Sequence, residues 1–588
     1  MPIGTVLVAN RGEIAVRIIR ACHELGLRAV AVYSDADAGA LHVRLADEAH
    51  RIGPAPARSS YLDVDAVLGA AKAAGADLVH PGYGLLSEDP AFAEAVAAAG
   101  LTFVGPSAEI IARMGDKVAA RGVAEKCGVP VPPGTGDLTA EQAAAEAERI
   151  GFPLVVKASF GGGGRGMRVV ASAAGLAEAM AAAGREAGAA FGRSEVHLER
   201  YLRPVRHVEV QVLGDAHGTV VHLADRDCSV QRRHQKLIEE APAFGLPDAL
   251  RTALREAAVT LAREVGYAGA GTVEFLVPPG SGEFFFLEMN TRLQVEHGVT
   301  ELVTGLDIVA TQLRIALGEP LPFTQDDVVV RGHAIQARIA AEDPWAGFRP
   351  APGTVSGLAL PLGPGVRNDF GVEPGDPVPA MYDSLFGKVL AHASDRDAAR
   401  RRLVGALGEL RVTGVATTAP YLRTILESAS FTEGRHDTGS VEREWVPDPA
   451  EAPVALGPST VDGPAAEAVP SRRVRISTDR GPVEIAVYGR APRAGAVAGP
   501  SDRPSRNSVS SRATAAVAGG VPTAPMDATV VAVRVEPGRE IAAGEVVAVL
   551  EAMKMEMEVR TEVGGVVGAV LVTPGTSVAA GAPLITLG

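Results

Sequence analysis

The 588-residue sequence has three cysteines and only 4% aromatic residues, and no apolar run reaches the roughly 18 residues of a membrane span. Cys22, Cys127 and Cys228 are far apart and share neither a CxxC nor a metal-ligand spacing. That excludes a disulfide framework and a cysteine-built metal site, and it fits a reducing intracellular setting. Positive charge is in deficit, with a formal net charge of −14. A general polyanion binder is therefore excluded, and nucleic acid is not an expected partner. No basic n-region precedes the strand-like Thr5-Val6-Leu7-Val8-Ala9-Asn10, so a cytoplasmic location without membrane association is expected. Hydrophobic residues at 47% and charged residues at 21% are ordinary for a soluble globular chain.

Length exceeds what one core can serve, and three to five domains are expected. Residues 1–114 alternate strand-like runs (Val6–Ala9, Ala29–Tyr33, Leu78–His80, Thr102–Gly105) with helix-like ones (Ile14–Leu25, Val64–Ala74, Pro90–Ala99). This is the pattern of an α/β unit with a parallel sheet. Residues 115–205 hold a second α/β segment with a glycine loop, and 206–445 a larger mixed one. Residues 446–520 turn rich in proline, alanine and serine and read as linker, with one hairpin expected at 473–488. As a coil of about 70 residues this tether would reach roughly 45 Å. The last segment is 521–588.

That last segment is built on a repeat. Val535-Glu536-Pro537-Gly538 through Gly544 recurs as Val572-Thr573-Pro574-Gly575 through Gly581, 37 residues later. Each half supplies short strands and Pro-Gly and Ala-Gly turns, and neither half can bury its apolar face alone. Two halves packed together make a quasi-symmetric β-sandwich, with Glu551-Ala552-Met553-Lys554-Met555 at its pivot and Lys554 at a hairpin tip. This resembles the biotinyl carrier domain of biotin-dependent carboxylases, in which the lysine of Ala-Met-Lys-Met is covalently biotinylated. Lipoyl domains share the fold, but their lysine usually follows an acidic residue, and here Met553 precedes it.

Leu154-Val155-Val156-Lys157 is an apolar strand ending in a cation, followed by Gly161-Gly162-Gly163-Gly164-Arg165-Gly166. Consecutive glycines let backbone N–H groups approach an anion closely. The run is neither a Walker loop nor a dinucleotide fingerprint. With Lys117 in Met114-Gly115-Asp116-Lys117, two cations are available for a polyphosphate, an arrangement that resembles the ATP-grasp fold. The similarity extends through Leu198-Glu199-Arg200-Tyr201-Leu202, Arg206-His207-Val208-Glu209 and Asp225 to Lys236, and it is to biotin carboxylase from Ile3 to about residue 445. It implies that Glu199, Arg200 and Leu202 line an adenine pocket, that His207, Gln231 and His234 contact the nucleotide with Lys117, Lys157, Gly163 and Gly164, and that Lys236 faces bicarbonate.

From Leu287 to Glu296 the even positions are Glu288, Asn290, Arg292, Gln294 and Glu296, whereas the odd ones are apolar except Thr291. An extended chain places these sets on opposite faces. Glu274 and Glu288, with Asn290, offer hard oxygen ligands to Mg²⁺ or Mn²⁺ beside ATP. Arg292 offers a planar fork to bicarbonate, and Glu296 a general base. Eight extended steps would span about 26 Å, so a bend near Leu293–Val295 is required. The resemblance assigns the same roles, places Gln294 and Val295 in the bicarbonate/biotin site, makes Arg338 the stabiliser of the biotin enolate, and puts Tyr83 near the biotin end. It also departs at four places: Phe160, Gly298 for a usual proline, Gln336 for a usual glutamate, and Asp527-Ala528 for Pro-Gly.

The implied architecture is an α/β biotin carboxylase, with a Rossmann-like N-terminal lobe, an ATP-grasp centre and a C-terminal domain, followed by an all-β biotinyl/lipoyl-type sandwich. The implied protein is the α-subunit type of acyl-CoA carboxylase, carboxylating biotin on Lys554 with ATP and bicarbonate. Its implied partners are a separate carboxyltransferase β-subunit, biotin protein ligase and further copies of itself within a larger complex. The alternatives are another ATP-grasp carboxylate ligase and a non-catalytic carrier or scaffold. Pyruvate carboxylase is disfavoured because no barrel-sized segment of about 250 residues lies between the modules.

Overall fold

The runs Val6–Val8, Ala29–Val32 and Leu78–Val79 are almost fully buried, as central strands covered on both faces must be. In the structure, a computed structural model that describes residues 4–138, 140–159, 167–191, 194–452, 472–478, 481–487, 521–553 and 555–588, they lie in a parallel sheet. Its strands are β1 (Thr5–Val8), β2 (Arg28–Ser34), β3 (Glu48–Gly53), β4 (Leu78–His80) and β5 (Thr102–Phe103), in the order β3-β2-β1-β4-β5. Strand β3 was invisible in the sequence because its first four residues are polar or half-exposed edge positions. The strand order switches direction between β1 and β4, where open α/β sheets form a crevice at the strand ends. Glu13, on the helix Gly12–Glu24, and Tyr83 follow those two ends.

Strands β6 (Leu154–Ala158), β7 (Met167–Val170) and β8 (Val196–Arg200) make a small antiparallel sheet in the order β7-β6-β8, packed on the helices Ala140–Ile150 and Leu176–Phe191. Phe160, Gly163 and Gly164 lie outside the described residues.

The site rests on an eight-stranded antiparallel sheet. Its strands are β9 (Arg206–Gly214), β10 (Val220–Arg232), β11 (Gln235–Ala241), β12 (Gly269–Val277), β13 (Phe285–Asn290), β14 (His333–Ala340), β15 (Val366–Phe370) and β16 (Leu385–Ala393). They are ordered β13-β12-β9-β10-β11-β14-β16-β15. The helix Asp248–Glu264 covers one end through Leu254, Ala258 and Leu261, against Val208, Val210 and Phe275. The helix Arg396–Glu409 covers the other through Ala399 and Leu403. The sheet is continuous from β13 to β15, so nucleotide-side and biotin-side residues share one rigid support.

The expected hairpin is present as Arg472–Thr478 paired with Gly481–Val487. In the last segment the repeat becomes symmetry. Ala528–Val533 and Gly565–Val570 are equivalent under the 37-residue shift and show the same alternation of burial. Glu540–Ile541 and Ser577–Val578 are likewise equivalent. Gly538 and Gly575 both sit at φ +86°, the left-handed turn that glycine accommodates. The inner faces meet in one core that includes Val530, Val567, Leu550 and Ile585.

Candidate active site

Register builds the site. Glu288 on β13 lies directly opposite Glu274 on β12, Glu274 opposite Glu209 on β9, and Glu209 opposite Arg226 on β10. Directly opposed residues share a face, so three acids stand in a row, a destabilising arrangement unless cations intervene. Arg226, fully buried, donates to Glu209 at 2.5 Å and also to Gln211, Thr272 and Thr300. Lys236 on β11 reaches Glu209 at 2.5 Å, Glu296 at 2.7 Å and Glu274 at 2.9 Å. Burial opposes its charge, but these carboxylates raise its ammonium well above the ordinary lysine value. His207 stands 3.0 Å from Glu274. Burial lowers its imidazole, and the Glu274 carboxylate more than reverses that.

Two groups among the described residues bring three ligand-type atoms together: His207, Glu209 and Glu274, and Glu209, Cys228 and Glu296. The cation they hold is Lys236. The Glu274–Glu288 pair differs. Burial and then Glu274 push the Glu288 carboxyl up, and the opposing charges of Lys117 and Lys157 do not fully offset them. Asn290 stands beside it with Oδ1 accepting from Arg292 at 2.9 Å and its amide nitrogen buried without a partner. Two opposed carboxylates with an amide oxygen alongside fit a hard divalent cation, so Glu274, Glu288 and Asn290 suit Mg²⁺ or Mn²⁺.

The strand expected to run from Leu287 to Glu296 stops at Asn290. Thr291 N–H donates to Glu88 at 3.3 Å instead of continuing the ladder, and Arg292 Nε donates to the same carboxylate at 2.9 Å. The chain therefore leaves the sheet before the expected bend, and Glu296 becomes the N-cap of the helix His297–Thr304. The alternating-face reading holds only as far as Asn290. Beyond it Gln294 and Glu296 are buried, not presented on a strand face. Arg292 also donates to Gln294 Oε1 at 3.0 Å, and Gln294 donates to Glu274 at 3.4 Å, which folds the segment onto the acid row.

Glu296 is fully buried, with one oxygen on Lys236 and the other 2.9 Å from Arg338. Burial alone would raise its carboxyl, but Lys236, Arg338 and Arg226 hold it well below the ordinary range. Arg338 on β14 also donates to Glu239, whose other oxygen accepts from Gln336 at 3.0 Å. The glutamine substitution thus leaves Arg338 oriented: one carboxylate is straddled by Gln336 and Arg338. Gly298 fits its place too, since a Cβ there would meet Leu390 at 2.7 Å.

Lys388 on β16, paired in register with Arg338, is fully buried and donates to Val295 O at 2.9 Å, the carbonyl just before Glu296. It also stands 3.0 Å from Glu13, which accepts from the Tyr83 hydroxyl. Tyr83, Val295, Glu296 and Arg338 are thereby linked. Sequence reasoning missed Glu88, Glu13, Glu239 and Lys388 entirely, and Glu209 appeared only inside a motif.

The nucleotide-side residues divide between the small sheet and the eight-stranded one. Lys157 and Glu199, on adjacent strands β6 and β8, form a buried ion pair. Burial raises Glu199, but Lys157 and His197 hold it below the ordinary carboxylate range. Arg200 donates to Ile150 O at 3.0 Å, and Leu202 is half-buried just beyond β8. Lys117 begins the helix Lys117–Lys126, and its N–H meets Ser159 O at the end of β6. Gln231 is buried on β10 and donates to Cys228 O, and His234 is exposed on the turn to β11. Lys554 lies outside the described residues.

A small antiparallel sheet with a buried Lys157–Glu199 pair, a large sheet with an acid–cation cluster, and a repeat-built β-sandwich together fit an ATP-grasp ligase with its carrier. Family profiles match in the same order: "Biotin carboxylase, N-terminal domain" over residues 2–111, "Carbamoyl-phosphate synthase L chain, ATP binding domain" over 116–324, "Biotin carboxylase C-terminal domain" over 336–443, and "Biotin-requiring enzyme" over 521–587. The biotin carboxylase of Haemophilus influenzae is 50% identical over 442 residues, 75% of this chain and 98% of that protein. The biotin-dependent acyl-coenzyme A carboxylase alpha3 subunit of Mycobacterium leprae is 43% identical over 99% of this chain and 98% of its own length. The biotin carboxylase domain of Hydrogenobacter thermophilus 2-oxoglutarate carboxylase, solved with MgADP, ADP and bicarbonate, superimposes with a TM-score of 0.72 at 43% identity, covering 74% of this chain and 97% of that one.

The chain belongs to the biotin carboxylase family, in the form that carries its own biotin domain, as acyl-CoA carboxylase α-subunits do. It is an ATP-dependent ligase that carboxylates biotin, with biotin as its cofactor. No helix among the described residues is long and apolar enough to cross a membrane.

Proposed function

We propose that the chain catalyses ATP + HCO₃⁻ + biotinyl-Lys554 → ADP + phosphate + carboxybiotinyl-Lys554, through carboxyphosphate. The observation that carries this is Glu296, a fully buried carboxylate held between Lys236 and Arg338. A carboxylate kept ionised is ready to take the bicarbonate proton. When Lys236 turns towards the bicarbonate oxygens it stops stabilising the Glu296 charge, which makes the base stronger where it is needed. Arg292, already aimed by Glu88, Asn290 and Gln294, and the Val295 backbone complete the bicarbonate cradle. Arg338 then faces the negative charge that develops on the biotin ureido oxygen, with Tyr83 beside it. Lys117, Lys157, Glu199, Arg200, Leu202, His207, Gln231 and His234, with Gly163 and Gly164, hold ATP. A divalent ion on Glu274, Glu288 and Asn290 supplies charge neutralisation for the phosphates.

Transfer onward to an acyl-CoA falls to a separate carboxyltransferase subunit, which sets the acyl-CoA used. Lys554 receives biotin from a biotin protein ligase, and the chain assembles with further copies in the complex, in the cytoplasm. Glu296→Ala is expected to retain ATP binding while bicarbonate-dependent ATP hydrolysis falls by about 10²–10⁴-fold, the usual contribution of a general base. Lys554→Arg is expected to abolish streptavidin binding. Wild-type turnover in the first variant, or retained biotin in the second, overturns the corresponding assignment.

A further inference from the structure

The carrier hairpin, Val546–Ala552 with Met555–Arg560, closes with Ala552 opposite Met555, leaving the two-residue turn Met553-Lys554. Such turns need positive φ and favour Asn, Asp or Gly. Met553 takes that conformation, at φ +51°, where a long side chain is disfavoured. Its side chain is nonetheless only 3% exposed. It takes no part in the carrier core built on Val530, Leu550 and Ile585. It belongs instead to the buried apolar cluster of the carboxylase that includes Val378 and Phe386. Met553 N–H also donates to Ala380 O at 3.0 Å, which joins the carrier to the loop leading into β16.

That loop is firmly held and lies next to the site. The Tyr382 hydroxyl bonds Ser34 and Ala55 O, and Arg11 lies over its ring at 4.0 Å. Ser384 O accepts from Ala341 N–H at 2.8 Å, three residues beyond Arg338. The charges of Arg338 and Asp383 both reach the Tyr83 hydroxyl, whose ionisation burial already suppresses.

We propose that Met553 is the docking residue of the carrier, seating the hairpin tip on residues 379–383 of its own chain so that the adjacent Lys554 arm enters at the Tyr83–Arg338 end. The proposal rests on Lys554 being the biotinyl residue. The contact suits a transient stop. Among the described residues the tip is held by a main-chain hydrogen bond and a flexible thioether in an apolar seat, contacts that form and release readily. Covalent tethering supplies the effective concentration that so small an interface lacks. A methionine at a left-handed turn position, poor for the isolated carrier, is explained by what it does when docked.

The test uses the full-length biotinylated chain. Met553→Ala is expected to slow incorporation of labelled bicarbonate into the carrier by about tenfold, a loss typical of truncating an interface anchor. Biotin content by streptavidin blot and ATP hydrolysis driven by free biotin should stay at wild-type levels. Met553→Leu, which keeps the apolar volume, should restore carrier carboxylation. Combining Ala380→Cys with Met553→Cys should give an oxidation-dependent crosslink within one chain, absent from either single variant. Carrier carboxylation at the wild-type rate in Met553→Ala, no crosslink, or a crosslink only between chains overturns the proposal. Absence of biotin from Lys554 in the wild type overturns the assignment of that lysine and the proposal with it.

Discussion

Across β13, β12, β9 and β10 the carboxylase sets Glu288, Glu274, Glu209 and Arg226 side by side in its interior, whereas the carrier buries apolar side chains and, among the described residues, one polar one, Thr561. In the first region chemistry and stability depend on the same residues, because each buried charge is tolerable only through its neighbours. In the second they are separate: the sandwich is held by its repeat, and its apolar core is filled without the lysine proposed to carry biotin. Damage to function should therefore be accompanied by loss of stability in one region and not in the other.

The largest expected effect comes from removing the shared cation. Lys236→Met leaves Glu209, Glu274 and Glu296 together without it, and should abolish ATP cleavage while destabilising the carboxylase by about 3–5 kcal/mol, the cost of breaking a buried charge network. Urea melts of this variant beside Lys554→Arg, for which no change is expected, test the contrast directly. Equal midpoints would break it.

A smaller effect follows from acid. Burial raises the Glu240 carboxyl, but His333 and Arg396 hold it down at about 2. A carboxylate with a lowered value stabilises the fold above the ordinary value near 4.5, and that contribution disappears as pH falls towards 2. The contribution is about 3 kcal/mol. The carboxylase should therefore lose stability across this window while the carrier, free of buried acids among its described residues, does not. Calorimetry of the full chain at pH 7 and pH 3, where most of this contribution is gone, should show one transition moving far more than the other.

The smallest effect sharpens the contrast at one position. Gln336→Glu places a second acid at hydrogen-bonding distance from Glu239, whose carboxyl burial already raises. Both acids then titrate above their unfolded values, so the variant should lose about 1 kcal/mol at pH 8. It should recover as pH falls towards 5 and the pair shares a proton. An identical deficit at both pH values would show that shape, not charge, sets this position.

These contrasts also explain what could be read in the sequence. Lys236, Glu296, Arg338 and Lys554 stand in compact motifs, and the 37-residue repeat is legible because sequence shift and structural equivalence coincide there. Glu88 and Lys388 were not legible, since nothing local marks them: Glu88 meets Arg292 across 204 residues, and Lys388 meets Val295 across 93. The strand expected through Glu296 failed for the same reason. Alternation of residue type describes a face only while a neighbouring strand persists, and at Thr291 a distant carboxylate takes the amide.

The carrier's symmetry has a mechanical consequence. Shifting the turn at Met553 back by one repeat of 37 residues falls just ahead of the sandwich, so the counterpart of that turn is the place where the chain enters it. Ala524 and Ala582, joined by a hydrogen bond, close the domain there. One apolar core thus separates the entry of the chain from the turn at Met553. Force applied where the chain enters would turn the sandwich as one body and leave the Met553 turn undisturbed.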